Sequence, residues 1–369
     1  MAPEDGETRA TAPEGLSQFL AKVLDQLSLS AWLPSATLVG SILLAAELRV
    51  TDGVVRDAFK SIAGIGFVGV VLLVVAVVVL TTVTQAFQFE SIRLLEGYWG
   101  PGRLSSWLGD LGCAWHSFRR DSFQRRQKKV RRRAVDEAIK EIARRNRKQL
   151  AKGYRPVLPD ASLPLLRTFV RKDHLEGASD DVAAAILTFR WRDFSPGHLI
   201  RRETGFAKRL RWYPPGNAVL PTLLGNTLRS TELALHTSGG IEGLVQRNFH
   251  RLPLGLRAEH DESRTRLDLY CSMSLVVVAG GVACAAIVTP IGWRWPSGAA
   301  AIALLMSVIC YRAAVTSSRM YAEVLRSIDG FLVDADKTSP PAPRTPTPAT
   351  TRSGPSRPRR APDRPGQTD

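Results

Sequence analysis

The residues with the most chemistry in this chain are cations. Between 124 and 133 it reads QRRQKKVRRR, in which Arg125, Arg126, Lys128, Lys129, Arg131, Arg132 and Arg133 crowd positive charge into little more than two helical turns. Such a run attracts nucleic acid, anionic lipid headgroups or an acidic protein. A reader of RNA or single strands adds aromatic side chains on which bases stack. Here only Phe118 and Phe123 lie near, and packing at the start of a helix accounts for Phe123. Held close to an anionic leaflet, each basic residue near the surface gains about 1 kcal/mol. Anionic lipid or an acidic protein is therefore the simpler partner, and nucleic acid the weaker one.

A second candidate is PTLLGNTLRSTE at 221–232. Its spacing predicts a helix with Pro221 in the first turn, where proline costs no hydrogen bond. Leu224, Leu228 and Thr231 then share one face, and Arg229 can pair with Glu232 at i, i+3. Gly225 would let another backbone approach closely. The plain reading is a packed helix with a glycine contact; the sharper one is a polar site at Gly225, Asn226, Arg229 and Glu232.

Other chemistry finds little support. The six histidines are scattered, without HExxH or another metal spacing. His260, Asp261 and Glu262 read as a solvated turn before an apolar segment. There is no GxSxG elbow, Walker loop or GxGxxG; GIGFVG at 64–69 lies in an apolar run and reads as helix packing. Cys113, Cys271, Cys284 and Cys310 form no CxxC pair and read as small buried side chains. No catalytic residue, cofactor or metal is expected, and the chain is read as a non-enzyme.

The elements that must hold these residues divide sharply by composition. From Asp121 to about Leu150 the pattern is helical, with Asp121 and Gln124 resembling a capping box. Val135, Ala138, Ile139 and Ile142 fall on one apolar face, and Asp136–Lys140 and Glu141–Arg145 are spaced as i, i+4 ion pairs. Prolines break up 153–221 into loops and short elements, with a helix starting at Ser179 or Asp180. No sheet is placed.

On either side lie apolar runs. Residues 62–86 carry no charge and exceed the length needed to cross a hydrocarbon core of about 30 Å. A second clear run follows Asp268, with Gly280 and Gly281 offering a small-residue face for packing or self-association. Two weaker runs each lie a short loop away from a strong one. The fold class expected is mainly α: an integral membrane protein with four transmembrane helices, at 31–49, 61–87, 268–291 and 297–317, in two hairpins, and a large helical cytoplasmic insertion at 88–267. Trp293 and Trp295 read as interfacial anchors, with a similar aromatic group at Phe87, Phe89, Tyr98 and Trp99.

The net charge is +16, most of it in the insertion. Basic residues near the span ends favour the insertion side over the short loops, so both termini and 88–267 are expected in the cytoplasm at the plasma membrane. An acidic segment at 1–30 is expected to begin in disorder. An amphipathic helix at 318–336, with Met320, Val324, Ile328 and Phe331 at helical spacing, leads into a disordered Pro/Arg-rich tail at 337–369.

Two blocks, IRLLEGYWG at 92–100 and YPPGNAVLPTLLGNTLRSTE at 213–232, resemble a family of multi-pass membrane proteins of bacteria, particularly actinobacteria. The resemblance implies two amino-terminal spans, a large cytoplasmic region and two carboxy-terminal spans. It implies no established activity. The family commonly has an arginine where this chain has Leu223. The functional expectation is a non-enzymatic scaffold, signalling or recruitment protein at the inner membrane face, bound to the lipid bilayer. The alternatives are a pore or transporter subunit and a membrane-tethered nucleic-acid binder.

Overall fold

A computed structural model describes residues 29–172, 180–236 and 240–338. The acidic segment before Leu29, Ser179, and the tail beyond Thr338 lie outside the described residues. Every regular element among the described residues is a helix. The described residues up to Asp329 form one compact unit, and those from Gly330 belong to a second.

Four helices are long and apolar enough to cross a membrane: α1 (Leu29–Val50), α3 (Phe67–Ala86), α11 (Leu254–Val288) and α12 (Arg294–Thr338). Small and polar side chains make the contacts between them. Ser35 and Thr84 hydroxyls join α1 to α3 at 2.9 Å. The Cys284 thiol donates to the Ser41 carbonyl of α1 at 3.3 Å. A Cβ on Gly280 would meet Leu38 and Ser41, and one on Gly281 would collide with Ala303 of α12. Both glycines of the expected association face are thus filled by contacts within the chain.

The segments around the apolar runs depart from expectation. The loop at 49–61 contains a helix, α2 (Val55–Ala63), with Ala58 buried while Arg56, Phe59 and Lys60 face outward. Gly64 caps its end and Gly66 opens α3, so these two glycines of GIGFVG make a turn between helices, while Gly69 lies within α3 against Ile65. Trp295 lies against Gly53, where a Cβ would come within 2.8 Å of the indole, so it packs inside the chain while Trp293 stays 79% exposed. α11 begins fourteen residues before its apolar run. His260, Asp261 and Glu262 are helical, and His260 reaches the buried Tyr321 hydroxyl at 3.2 Å.

The insertion is built on α5 (Arg103–Leu150), a 48-residue helix preceded by the short α4 (Gln88–Glu96). α5 starts eighteen residues before the expected Asp121. Asp121 therefore caps nothing; its carboxylate pairs with Arg120 at 3.1 Å. The reason is that nothing between 103 and 121 stops a helix: Gly109 and Gly112 are tolerated within it.

Around the second half of α5 pack α6 (Leu163–Lys172), α7 (Asp180–Thr188) and α8 (Gly197–Leu210). Val135, Ala138 and Ile142 are fully buried, with Leu166, Ile186, Trp191 and Leu199 among their core neighbours and Ile139 partly buried beside them. Each fully buried valine, leucine or isoleucine among them contributes roughly 1.5–3 kcal/mol. Pro164 and Pro196 sit at helix starts rather than in loops, where the missing N–H is not needed. Asp136 bonds Arg167 of α6 at 3.0 Å, whereas Lys140 bonds Glu137 at 2.8 Å, so the expected Asp136–Lys140 pair gives way to a tertiary bridge. Glu141 holds both Arg144 and Arg145 at 2.9 Å.

The cytoplasmic amphipathic helix expected at 318–336 is the continuation of α12, without a break. Val324 and Ile328 are buried as expected, but Met320 and Phe331 are exposed, and Tyr321, Ala322 and Leu325 complete the buried face. The spacing misses by one residue at each end, where Tyr321 and Leu332 take the buried positions of a helix with 3.6 residues per turn.

Candidate functional site

The second candidate block forms α9 (Leu223–Glu232). Pro221 falls before the helix, and Thr222 is its cap: the Thr222 hydroxyl accepts from the Gly225 N–H at 3.0 Å. Leu224, Leu228 and Thr231 are buried, and Arg229 pairs with Glu232 at 2.6 Å, as their spacing predicts.

The two blocks at 92–100 and 213–232 meet in space. Gly97 ends α4 with φ 104°, a left-handed turn that favours glycine, and Pro221 packs on its open side. The Trp99 indole N–H donates back to the Leu94 carbonyl at 2.7 Å. Gly225 lies directly against the Glu96 carbonyl oxygen, leaving no room for a Cβ. Gly112 of α5 lies equally close to Pro221, at 2.7 Å from a would-be Cβ. Three glycines thus allow α4, α5 and the start of α9 to converge on one proline turn.

Asn226 holds that turn together. It is fully buried, its Oδ1 accepts from the Leu220 N–H at 2.8 Å, and its Nδ2 donates to the Leu220 carbonyl at 2.8 Å and the Thr222 carbonyl at 2.6 Å. The Tyr311 hydroxyl of α12 accepts from the N–H groups of Leu223 and Leu224 at 3.1 and 3.4 Å. The first N–H groups of α9, which an anion would otherwise seek, are therefore met from within. The candidate polar positions Gly225, Asn226, Arg229 and Glu232 all have neighbours in the chain, and the geometry of the block is that of a clamp.

α5 reaches the same clamp. The Cys113 thiol donates to the Val219 carbonyl at 3.3 Å; burial, and then the charge of Asp110, push its pKa up, so it stays a thiol. Arg120 donates to the Gly216 carbonyl at 2.6 Å. His116 is buried with Nδ1 3.4 Å from the Tyr213 hydroxyl. Burial first, and the Arg119 charge second, hold its pKa below the ordinary 6.5. Burial raises the Tyr213 pKa against the opposing pull of Arg119 and Arg319. Trp212 receives the guanidinium groups of Arg211, Arg319 and Arg326 at 5.1–5.7 Å, tying the end of α8 to α12.

The cationic run lies one turn further along α5. Arg125, Arg126, Lys128, Lys129, Arg132 and Arg133 are exposed. Arg131 is the exception: it is half-buried and borders a depression with Phe189, Trp191 and Arg192. Val130 and Ala134 are buried, so the charge covers one side of the helix rather than most of its circumference. Asp136 borders this side among the described residues and is shared with Arg167.

Comparison with protein-family models, curated proteins and solved structures finds no match for this chain. Among the described residues no group of three or more His, Cys, Asp or Glu side chains is placed to hold a metal ion. The arrangement offers an exposed positive strip on α5 and a buried, hydrogen-bonded turn at the clamp. Sequence reasoning missed Thr222 as the cap, although threonine just before a helix is its usual signal. It also missed Tyr311, which no local pattern pairs with residues 87 positions away.

Proposed function

We propose that the chain is a multi-pass membrane protein that acts as a non-enzymatic recruitment platform on the cytoplasmic face of the plasma membrane. The cationic strip of α5 engages anionic headgroups or an acidic protein there. The observation that carries this reading is the one-sided exposure of six cations on a helix whose other face is held, earlier in its length, by the turn at 213–221 that leads into α9. Such a strip cannot swing independently of the spans, so a partner bound to it is held at a set place on the membrane.

The four apolar helices support membrane insertion by their length and composition. The charge bias supports a cytoplasmic insertion, and the two short connections support paired hairpins. A conducting or transporting path usually carries ionisable groups. The cavity of about 760 Å³ between α1, α11 and α12 is lined by apolar side chains and has Arg294 as its one charged residue, which favours recruitment over transport.

The test is photo-crosslinking of the full chain in native membranes, with the six exposed cations changed to glutamine in a second version. Adducts that disappear with the charges support the reading, and identical adducts from both versions overturn it. Protease digestion of the insertion from the outside of right-side-out vesicles would overturn the orientation.

A further inference from the structure

The face of α5 that carries the cations begins, about six turns earlier, as a row of large apolar side chains open to solvent. Leu104, Trp107, Leu108, Leu111, Trp115 and Phe118 are between 41% and 70% exposed. They recur at steps of three and four residues, and the same steps lead through Ser122 to Arg125, Arg126, Lys129, Arg132 and Arg133. At 3.6 residues per turn, all of them fall within an arc of roughly 120°. The opposite face is spent on protein: Gly112 on Pro221, Cys113 on Val219 and His116 on Tyr213. One side of one helix is thus apolar for about 21 Å and then cationic for about 12 Å.

We propose that this side of α5 lies flat in the bilayer–water boundary, with Trp107, Leu111, Trp115 and Phe118 seated among the acyl chains and Arg125, Arg126 and Lys129 on anionic headgroups. The inference rests on the reading that the chain spans a membrane. Three observations select lipid as the occupant. The apolar surface is continuous in the chain with that of α3, through the exposed Phe87, Phe89, Leu94 and Tyr98. Tryptophan is the side chain that prefers this depth, since its ring is apolar and its N–H needs a polar neighbour. The charge that follows is the sign that anionic lipid attracts, and Arg103 places another cation ahead of the row. A second copy laid parallel would set cation against cation.

The experiment uses the full chain with its four native cysteines replaced, spin-labelled one position at a time and reconstituted in nanodiscs of phosphatidylcholine mixed with phosphatidylglycerol. Labels at Leu111→Cys and Trp115→Cys are compared with Val75→Cys in α3 and Arg147→Cys near the end of α5. All four positions are exposed, so the substitutions remove no core contact. Collision with oxygen, which concentrates in acyl chains, is measured against collision with a water-soluble nickel chelate. The expected result is that 75, 111 and 115 favour oxygen, 75 most deeply, and 147 favours nickel. Nickel-accessible labels at 111 and 115 with an oxygen-accessible label at 75 overturn the proposal and leave the spans intact. A nickel-accessible label at 75 overturns the membrane reading itself. Labels at 111 and 115 shielded from both reagents mean a protein surface, such as a second copy, covers the row, and also overturn it. Changing Arg125, Arg126 and Lys129 together to glutamine should make labels 111 and 115 shallower in the mixed lipid and leave 75 unmoved.

Discussion

The Thr222 hydroxyl donates to the Glu96 carbonyl at 2.9 Å, across 126 residues of chain. The same oxygen atom of Thr222 caps α9, so one side chain both starts a helix and pins it to the end of another. Around this contact the two apolar halves of the chain, the long α5 and the Tyr311 hydroxyl converge. Its tightness makes specific demands on the residues nearby.

Gly225→Ala should destabilise the protein by roughly 1–3 kcal/mol, because the added methyl group has nowhere to go but into the Glu96 carbonyl. Gly109→Ala, in α5 with nothing within 4 Å of the new carbon, should instead stabilise by up to about 1 kcal/mol. Thermal unfolding of the two variants in the same detergent checks the difference in sign.

Asn226→Leu keeps the branched shape and the number of side-chain heavy atoms but removes three hydrogen bonds, leaving the Leu220 N–H and two carbonyls buried without that partner. A loss of about 3 kcal/mol or more is expected. Tyr311→Phe removes the acceptor shared by Leu223 and Leu224 and should cost about 1–3 kcal/mol. Since both act on the start of α9, the double variant should lose less than the sum of the two. Denaturant titration of the four proteins measures that coupling.

His116 gives a pH dependence of definite sign. Its folded pKa is depressed, so the unfolded chain binds the proton more readily. The stability it contributes is full above the ordinary value of 6.5 and falls as the pH drops below it, towards the folded pKa. His116→Gln should flatten the stability profile in that window. Glu141 acts lower: its bonds to Arg144, then Arg145, bring its pKa down to about 2, so its contribution holds above 4.5 and is lost as the pH falls through about 2. Unfolding midpoints measured from pH 8 to pH 3 separate the histidine from the carboxylate.

Neutralising Arg125, Arg126, Lys128, Lys129, Arg132 and Arg133 should change stability little, since exposed substitutions away from packing stay within about 0.5 kcal/mol each. Attraction to an anionic partner should fall sharply, and in the unaltered protein it should weaken with salt because these charges face water. The Arg131→Gln variant is the contrast. Half-buried beside Trp191, it should cost stability while leaving the binding of the anionic partner largely in place. Unfolding and salt-dependent binding, measured on the same preparations, distinguish the two effects.

Much of this was legible in local patterns. The charge-free run at 62–86 has one stable form at that length, and α3 fills all but its first five residues. Val135, Ala138 and Ile142 show their burial by spacing alone, as do Arg229 and Glu232 their pairing. The helix starts were harder to read. Asp121 looks like a cap in isolation, but a cap matters only where a helix has reason to stop, and residues 103–120 supply none.

The sequence by itself determined the helical class, four apolar helices, the run of cations and the apolar face on which α5 is buried. These follow from composition and period, which are properties of neighbours along the chain. Only the tertiary structure decided that Gly97, Gly112 and Gly225 surround one proline turn, and that Asn226 is spent on backbone rather than on a ligand. It also decided that Asp136 answers to Arg167 instead of Lys140. Close approach and hydrogen-bond satisfaction depend on which distant segments arrive at the same point. A glycine or an asparagine carries no mark of that until the chain has folded around it.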